Sequence, residues 1–174
     1  MVPHLMRIRI PHLIAAVVIA AIAAFLAAYV ASPHPPADWL RLALGLGCFA
    51  VFSELLEYRM PQGGHGSTAL IPILAIILVA PSWHGVVVIA VCETLHQIIR
   101  RRELAKALFN CAQTVLSTSL AAVIYGALGG HSFAEPGGFR TLVVENAIPA
   151  LACLFTAAIV NSIAVNAAIA LSAN

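Results

Sequence analysis

The chain has 174 residues, 61% of them hydrophobic and only 9% charged, with a net charge of +2 and a mean hydropathy of +0.98. Soluble domains carry about 25% charged residues, so the composition excludes a water-exposed globular domain as the bulk of the chain and suits about six membrane helices joined by short loops. The small net charge, with basic residues gathered at predicted helix ends, excludes nucleic acid as a partner.

The first predicted helix covers about 11–32. Leu13 to Ala31 are nineteen positions without a charge, and nineteen helical residues cover roughly 28 Å, close to the hydrocarbon thickness of a bilayer. Arg7 and Arg9 precede it as in a signal peptide. The apolar run exceeds the roughly 7–15 residues of a signal core, however, and Pro33 follows the one suitable cleavage region, so the segment reads as an uncleaved anchor. After the turn Pro33-His34-Pro35-Pro36, a second helix spans about 39–57. The third, about 67–80, is entered through Gly63-Gly64-His65-Gly66 with Ser67 or Thr68 as N-cap and Pro72 in its first turns.

A fourth helix spans about 83–100, and a fifth about 103–128, stopped by Gly129-Gly130. The sixth covers about 147–171. Phe139 to Asn146 reads either as a short interfacial helix ended by Pro149 or as the first turns of a long, kinked sixth helix. Trp39 and Trp83 stand where interfacial anchors belong. His34, His65, His84 and His131 sit in or beside loops and are expected in solvent. Cys48, Cys92, Cys111 and Cys153 lie in apolar stretches without a CxxC pair and read as small core residues.

Orientation follows from the cations. With the N-terminus inside and six crossings, Arg7, Arg9, Arg59, Arg100, Arg101, Arg102 and Lys106 face the cytoplasm, against Arg41 and Arg140 outside. The expected architecture is all-α: one polytopic membrane bundle over residues 1–174, six transmembrane helices, both termini cytoplasmic.

Ionisable groups at membrane depth cost about 2.5–3.5 kcal/mol each on insertion scales, so each calls for a reason. Here they share one depth band: Glu54 and Glu57 late in helix two, Glu93, His96 and Gln97 late in helix four, Asn110 and Gln113 early in helix five. Spacings of three and four put them on one face of each helix. They read either as interhelical glue or as a polar ligand pocket of Glu54, Glu57, Glu93, His96, Asn110 and Gln113. The tight loop at Arg101 makes helices four and five antiparallel neighbours, which predicts Glu93 within reach of Asn110 or Gln113. Asn161, Ser162 and Asn166 are expected to contact another helix.

Glu93-x-x-His96 has the spacing of a di-iron carboxylate pair, but only one copy is present, and two-His haem ligation would have to draw on His12 and His96. Gly-x-Ser-x-Gly, HExxH, P-loop and Rossmann patterns are lacking. No metal, cofactor or catalytic activity is therefore expected.

In helix five, Lys106-Ala107-Leu108-Phe109-Asn110-Cys111-Ala112-Gln113, then Leu116-Ser117, Ala121-Ala122 and Tyr125-Gly126-Ala127-Leu128-Gly129-Gly130, resemble the pattern of MASE-type membrane-associated sensor domains of bacterial signalling proteins. The acidic end of helix two, the Gly-rich turn and the apolar third helix are similar to the same family, so that the likeness covers roughly 52–166. The resemblance implies a sensory input module of the bacterial inner membrane, whose output is a cytoplasmic GGDEF cyclic-di-GMP synthase, an HD-type phosphodiesterase or a kinase. The 174 residues hold no such output domain, as in a truncated module or a free-standing relative. The bilayer, a cytoplasmic output partner, a small-molecule ligand and a homodimer are the partners compatible with this reading. The alternative is a small-solute binding or transport subunit, which also uses about six helices and an internal pocket.

Overall fold

A computed structural model describes residues 3–31, 38–56, 58–59, 65–66, 69–135 and 139–173. Six helices carry the fold: α1 Pro3–Ala31, α2 Trp39–Leu55, α3 Leu70–Val79, α4 Trp83–Ile99, α5 Leu104–Ala127 and α6 Phe139–Ala173. They alternate in direction. One end, here the arginine end, gathers the close of α2 and α4 and the start of α5, where Arg100 reaches the carbonyls of Glu54 and Leu55. At the opposite, tryptophan end, Trp83 meets Phe25 and Tyr29 of α1. Ile10 of α1 and Ile169 of α6 line one crevice, so the first helix starts and the last finishes at the arginine end.

Three helices are long and apolar enough to cross a membrane: Ile10–Ala31, Leu104–Ala127 and Val143–Leu171. The other three are shorter. With 17 residues each, α2 and α4 rise about 26 Å, whereas the ten of α3 rise only about 15 Å, half a hydrocarbon core.

Several helix limits differ from expectation for identifiable reasons. α1 starts at Pro3 and runs through Pro11, because an internal proline removes one hydrogen bond of the ladder without ending a helix whose flanks propagate. α2 closes at Leu55, where the Leu56 N–H donates to the Phe52 carbonyl at 3.1 Å. Beyond it Tyr58–Arg59 pairs antiparallel with His65–Gly66. The Gly-rich stretch, expected as a simple entry turn, thus supplies the edge of a two-residue ribbon. α3 begins at Leu70 after the N-cap Ala69, with Pro72 in its first turn, where no ladder bond is lost. Ser67 and Thr68, the expected caps, and the turn Pro33 to Pro36 lie outside the described residues. The open question at Phe139 to Asn146 is answered by one continuous α6 that contains Pro149.

The packing is small inside and large outside. α1 buries Val17, Ala21, Ala24 and Ala28, spaced by four, three and four, while Ile19, Ile22, Leu26 and Val30 are exposed, Val30 by 84%. α2 does the same with Ala43, Gly47, Ala50 and Ser53. Leu40, Leu44, Phe49 and Phe52 face outward. In water such an outer surface would drive aggregation; in lipid it is solvated, and close backbone approach through small residues holds the helices together. α5 is the central helix, packed on α1, α4 and α6. It meets α1 through Ala112, Val17 and Ala21. Of the cysteines expected in the core, Cys153 is buried, Cys92 and Cys111 are half-buried, and Cys48 is exposed, because it stands one position off the buried stripe of α2.

Candidate functional site

Polar side chains gather at both ends of the bundle. At the arginine end, Glu93, His96, Gln97 and Arg100 follow i, i+3, i+4, i+7 along α4 and share one face. Glu93, His96 and Gln97 are buried. Gln97 Nε2 donates to Glu93 Oε1 at 2.5 Å. His96 Nδ1 stands 4.0 Å from Glu54 Oε2, beyond hydrogen-bond range. Arg100 Nη2 donates to the carbonyl of Leu55 at 3.1 Å and approaches that of Glu54 at 3.4 Å, at the closing turn of α2. Both ring nitrogens of His96 and Oε1 of Gln97 are buried without a hydrogen-bond partner.

His96 and Arg100 of this cluster form a seam between α4 and α2, and among the described residues no hydrogen bond joins Glu93 to Asn110 or Gln113. The side chain that α4 turns toward α5 is Thr94, whose Oγ1 lies 3.8 Å from Cys111 Sγ. Glu93, one residue earlier and about 100° around the helix, is bonded within α4, to Gln97. Matching depths across an antiparallel hairpin set the height of a residue and not its azimuth. Gln113 instead donates to Asn161 Oδ1 and ties α5 to α6, as expected of Asn161. Asn110 lines a separate crevice between α1, α5 and α6. Of the six expected pocket residues, Glu54 and His96 come together, Glu93 lies beside them on α4 bonded to Gln97, Gln113 and Asn110 stand elsewhere, and Glu57 lies outside the described residues. Ser162 and Asn166, expected against a neighbouring helix, are exposed.

The hydroxyls further along α5 do not act as interhelical glue. The hydroxyls of Ser117 and Thr118 donate back to the Thr114 carbonyl at 3.1 and 2.7 Å, satisfying themselves within their own helix. Among the described residues no group of three or more His, Cys, Asp or Glu side chains could hold a metal ion.

At the tryptophan end the polar groups form a knot. α5 closes in a Schellman motif: Gly129 at φ +78°, Gly130 N–H donating to the Tyr125 carbonyl at 2.9 Å, Gly129 N–H to that of Gly126 at 3.0 Å. The second glycine is required by the ring, since a Cβ on Gly130 would lie 2.5 Å from Tyr125 Cε1. The Tyr125 hydroxyl then reaches two acceptors at 2.7 Å, the His131 carbonyl and Asn146 Oδ1. The His131 N–H also donates to Asn146 Oδ1 at 2.7 Å. Next along the loop, Ser132 Oγ donates to the Val79 carbonyl and Phe133 N–H to that of Leu78 at 3.0 Å, so the loop after α5 caps the end of α3.

Asn146, fully buried, is the residue sequence reasoning missed. Its signal was present: with α6 continuous, Asn146, Ala150, Cys153, Ala157 and Ala164 form one helical stripe. Beside the knot, His84 stacks on Trp83 with centroids 3.8 Å apart and its Nδ1 lies 3.1 Å from Ser82 Oγ. It is half-buried rather than in solvent, because the indole covers one ring face. His131 does keep an exposed ring, 4.0 Å from Glu135 Oε2.

No protein-family model matches the chain, and neither a curated protein nor a solved structure is similar to it.

Proposed function

We propose that this chain is a membrane-embedded sensory input domain of a bacterial signal-transduction protein, akin to the MASE-type domains, without catalytic activity of its own. In this reading the six helices are six crossings of the inner membrane, and both termini are cytoplasmic. The excess of cations at the arginine end supports that orientation. The observation that carries the reading is the α2–α4 seam, where His96 is buried with both ring nitrogens unpartnered, 4.0 Å from the Glu54 carboxylate.

An unmet buried polar atom costs about 1–3 kcal/mol. A proton or ligand that satisfies it in one packing of α2 against α4 and not in another shifts their ratio by roughly 5–150-fold, the range of ordinary allosteric coupling. The route onward is short. α4 runs through Arg100 to Arg102 into α5, and Gln113 of α5 is bonded to Asn161 of α6, whose last turns stand at the arginine end.

The test joins residues 1–174 to a reporter diguanylate cyclase and measures cyclic-di-GMP in cells. Glu93→Gln is expected to change output at unchanged membrane level, and deletion of α2 to α5 to abolish any response. Equal output from the full domain and the deletion overturns the reading.

A further inference from the structure

At the arginine end a crevice of about 260 Å³ opens between α1, α5 and α6, walled by Ile10, Leu13, Phe109 and Ile169. Two polar side chains line it, Lys106 and Asn110. Four residues apart on α5, they stand one above the other, with Asn110 about 6 Å deeper in the bundle. Lys106 Nζ lies 3.2 Å from Glu103 Oε2, and both side chains are mostly exposed, so the pair contributes little and exchanges readily for another anion. The half-buried Asn110 amide makes no hydrogen bond among the described residues. An amide left unpaired beside hydrocarbon costs free energy, and the apolar walls offer no partner. Between Arg101 and Lys106 the sequence holds three cations against one carboxylate.

We infer that this crevice binds an anionic phospholipid, its phosphate against Lys106, its ester carbonyl accepting from the Asn110 amide, and its acyl chain along Ile10, Leu13 and Phe109. The order of groups in such a lipid, charged head, then ester, then hydrocarbon, matches the order of side chains met on entering the crevice. The charge complementarity selects the headgroup, and the bond from the Asn110 amide to an ester carbonyl, a group common to all diacyl lipids, sets the depth. This site is distinct from the α2–α4 seam and stands whether or not the chain signals.

The experiment is native mass spectrometry of the full chain, purified in detergent and titrated with phosphatidylglycerol or phosphatidylcholine of identical acyl chains. Phosphatidylglycerol is expected to be retained about fivefold better, the Boltzmann factor of one basic side chain facing an anionic headgroup. Lys106→Gln should erase that preference, whereas Asn110→Leu should lower retention of both lipids and leave the preference in place. Arg41→Gln, a cation at the other end of the bundle, should change neither. Far-UV circular dichroism and thermal unfolding establish that each variant is folded. Equal retention of the two lipids by the unaltered chain overturns the site, as does a preference that survives Lys106→Gln or disappears with Arg41→Gln.

Discussion

The two ends of the bundle bury comparable polar chemistry in opposite ways. At the tryptophan end, one Asn146 oxygen gathers the Tyr125 hydroxyl and the His131 N–H, and Ser132 and Phe133 close the carbonyls of α3; within this knot, among the described residues, Nδ2 of Asn146 is left unmet. At the arginine end, His96 has neither nitrogen bonded and Gln97 only its amide nitrogen. The helix stops show the same contrast. α4 closes in a Schellman motif like that of α5, with Arg102 N–H donating to the Gln97 carbonyl at 3.2 Å and Arg101 N–H to that of Ile98 at 3.0 Å. Yet the left-handed position is held by Arg101 at φ +50° rather than by a glycine. One end is built to stay as it is, and the other holds free energy that a change of state can release.

The largest effect expected from this contrast is at Asn146. Asn146→Ala removes the acceptor shared by the Tyr125 hydroxyl and the part-buried His131 N–H and should lower stability by about 2 kcal/mol, read as thermal unfolding in a fixed detergent. Tyr125→Phe should cost less. The double variant should fall short of the sum by about 1 kcal/mol, since both remove the same bond; strict additivity would mean that the knot is not one unit.

His96→Leu should behave oppositely. It replaces two unmet buried nitrogens with apolar surface, so stability should be unchanged or rise by up to about 1 kcal/mol. A loss matching that of Asn146→Ala would erase the difference between the ends and make the seam ordinary structural glue. The smallest effect is at the cap. Arg101→Gly should relieve the left-handed strain and, after the greater freedom of glycine in the unfolded chain, stabilise by about 0.5 kcal/mol, seen as a small rise in midpoint temperature. A fall would show that the guanidinium contributes more than its backbone conformation costs.

Much of the helix count was legible because apolar runs and Gly or Pro stops are local signals. Trp39 opens α2 and Trp83 opens α4 as the pattern suggested. What faces what was not legible. Glu93, Asn110 and Gln113 share a depth band, but only rotation about each helix axis separates a contact from a near miss, and that rotation is set by packing: Thr94 against Cys111, Gln113 against Asn161. The short α3 was equally hidden, since an antiparallel ribbon of Tyr58–Arg59 with His65–Gly66 leaves no periodic trace in two-residue strands. Asn146 escaped notice because its role depends on whether α6 runs through Pro149. The Tyr125 to Gly130 block stood out as a motif in the sequence, and its cause is steric: a ring laid over a residue without Cβ.

The small-inside, large-outside arrangement also decides which substitutions the chain can absorb. Along α1 the outward positions Ile19, Ile22, Leu26 and Val30 ask only for oiliness, and one aliphatic residue should serve there as well as another. Ala21, Ala24 and Ala28 on the inward stripe ask for little bulk and are indifferent to polarity at the level of a hydroxyl, so that serine should pass where leucine fails. Mutational drift in such a protein is therefore bounded on its hidden face by volume and on its lipid face by polarity, the reverse of the bounds on a water-soluble helix.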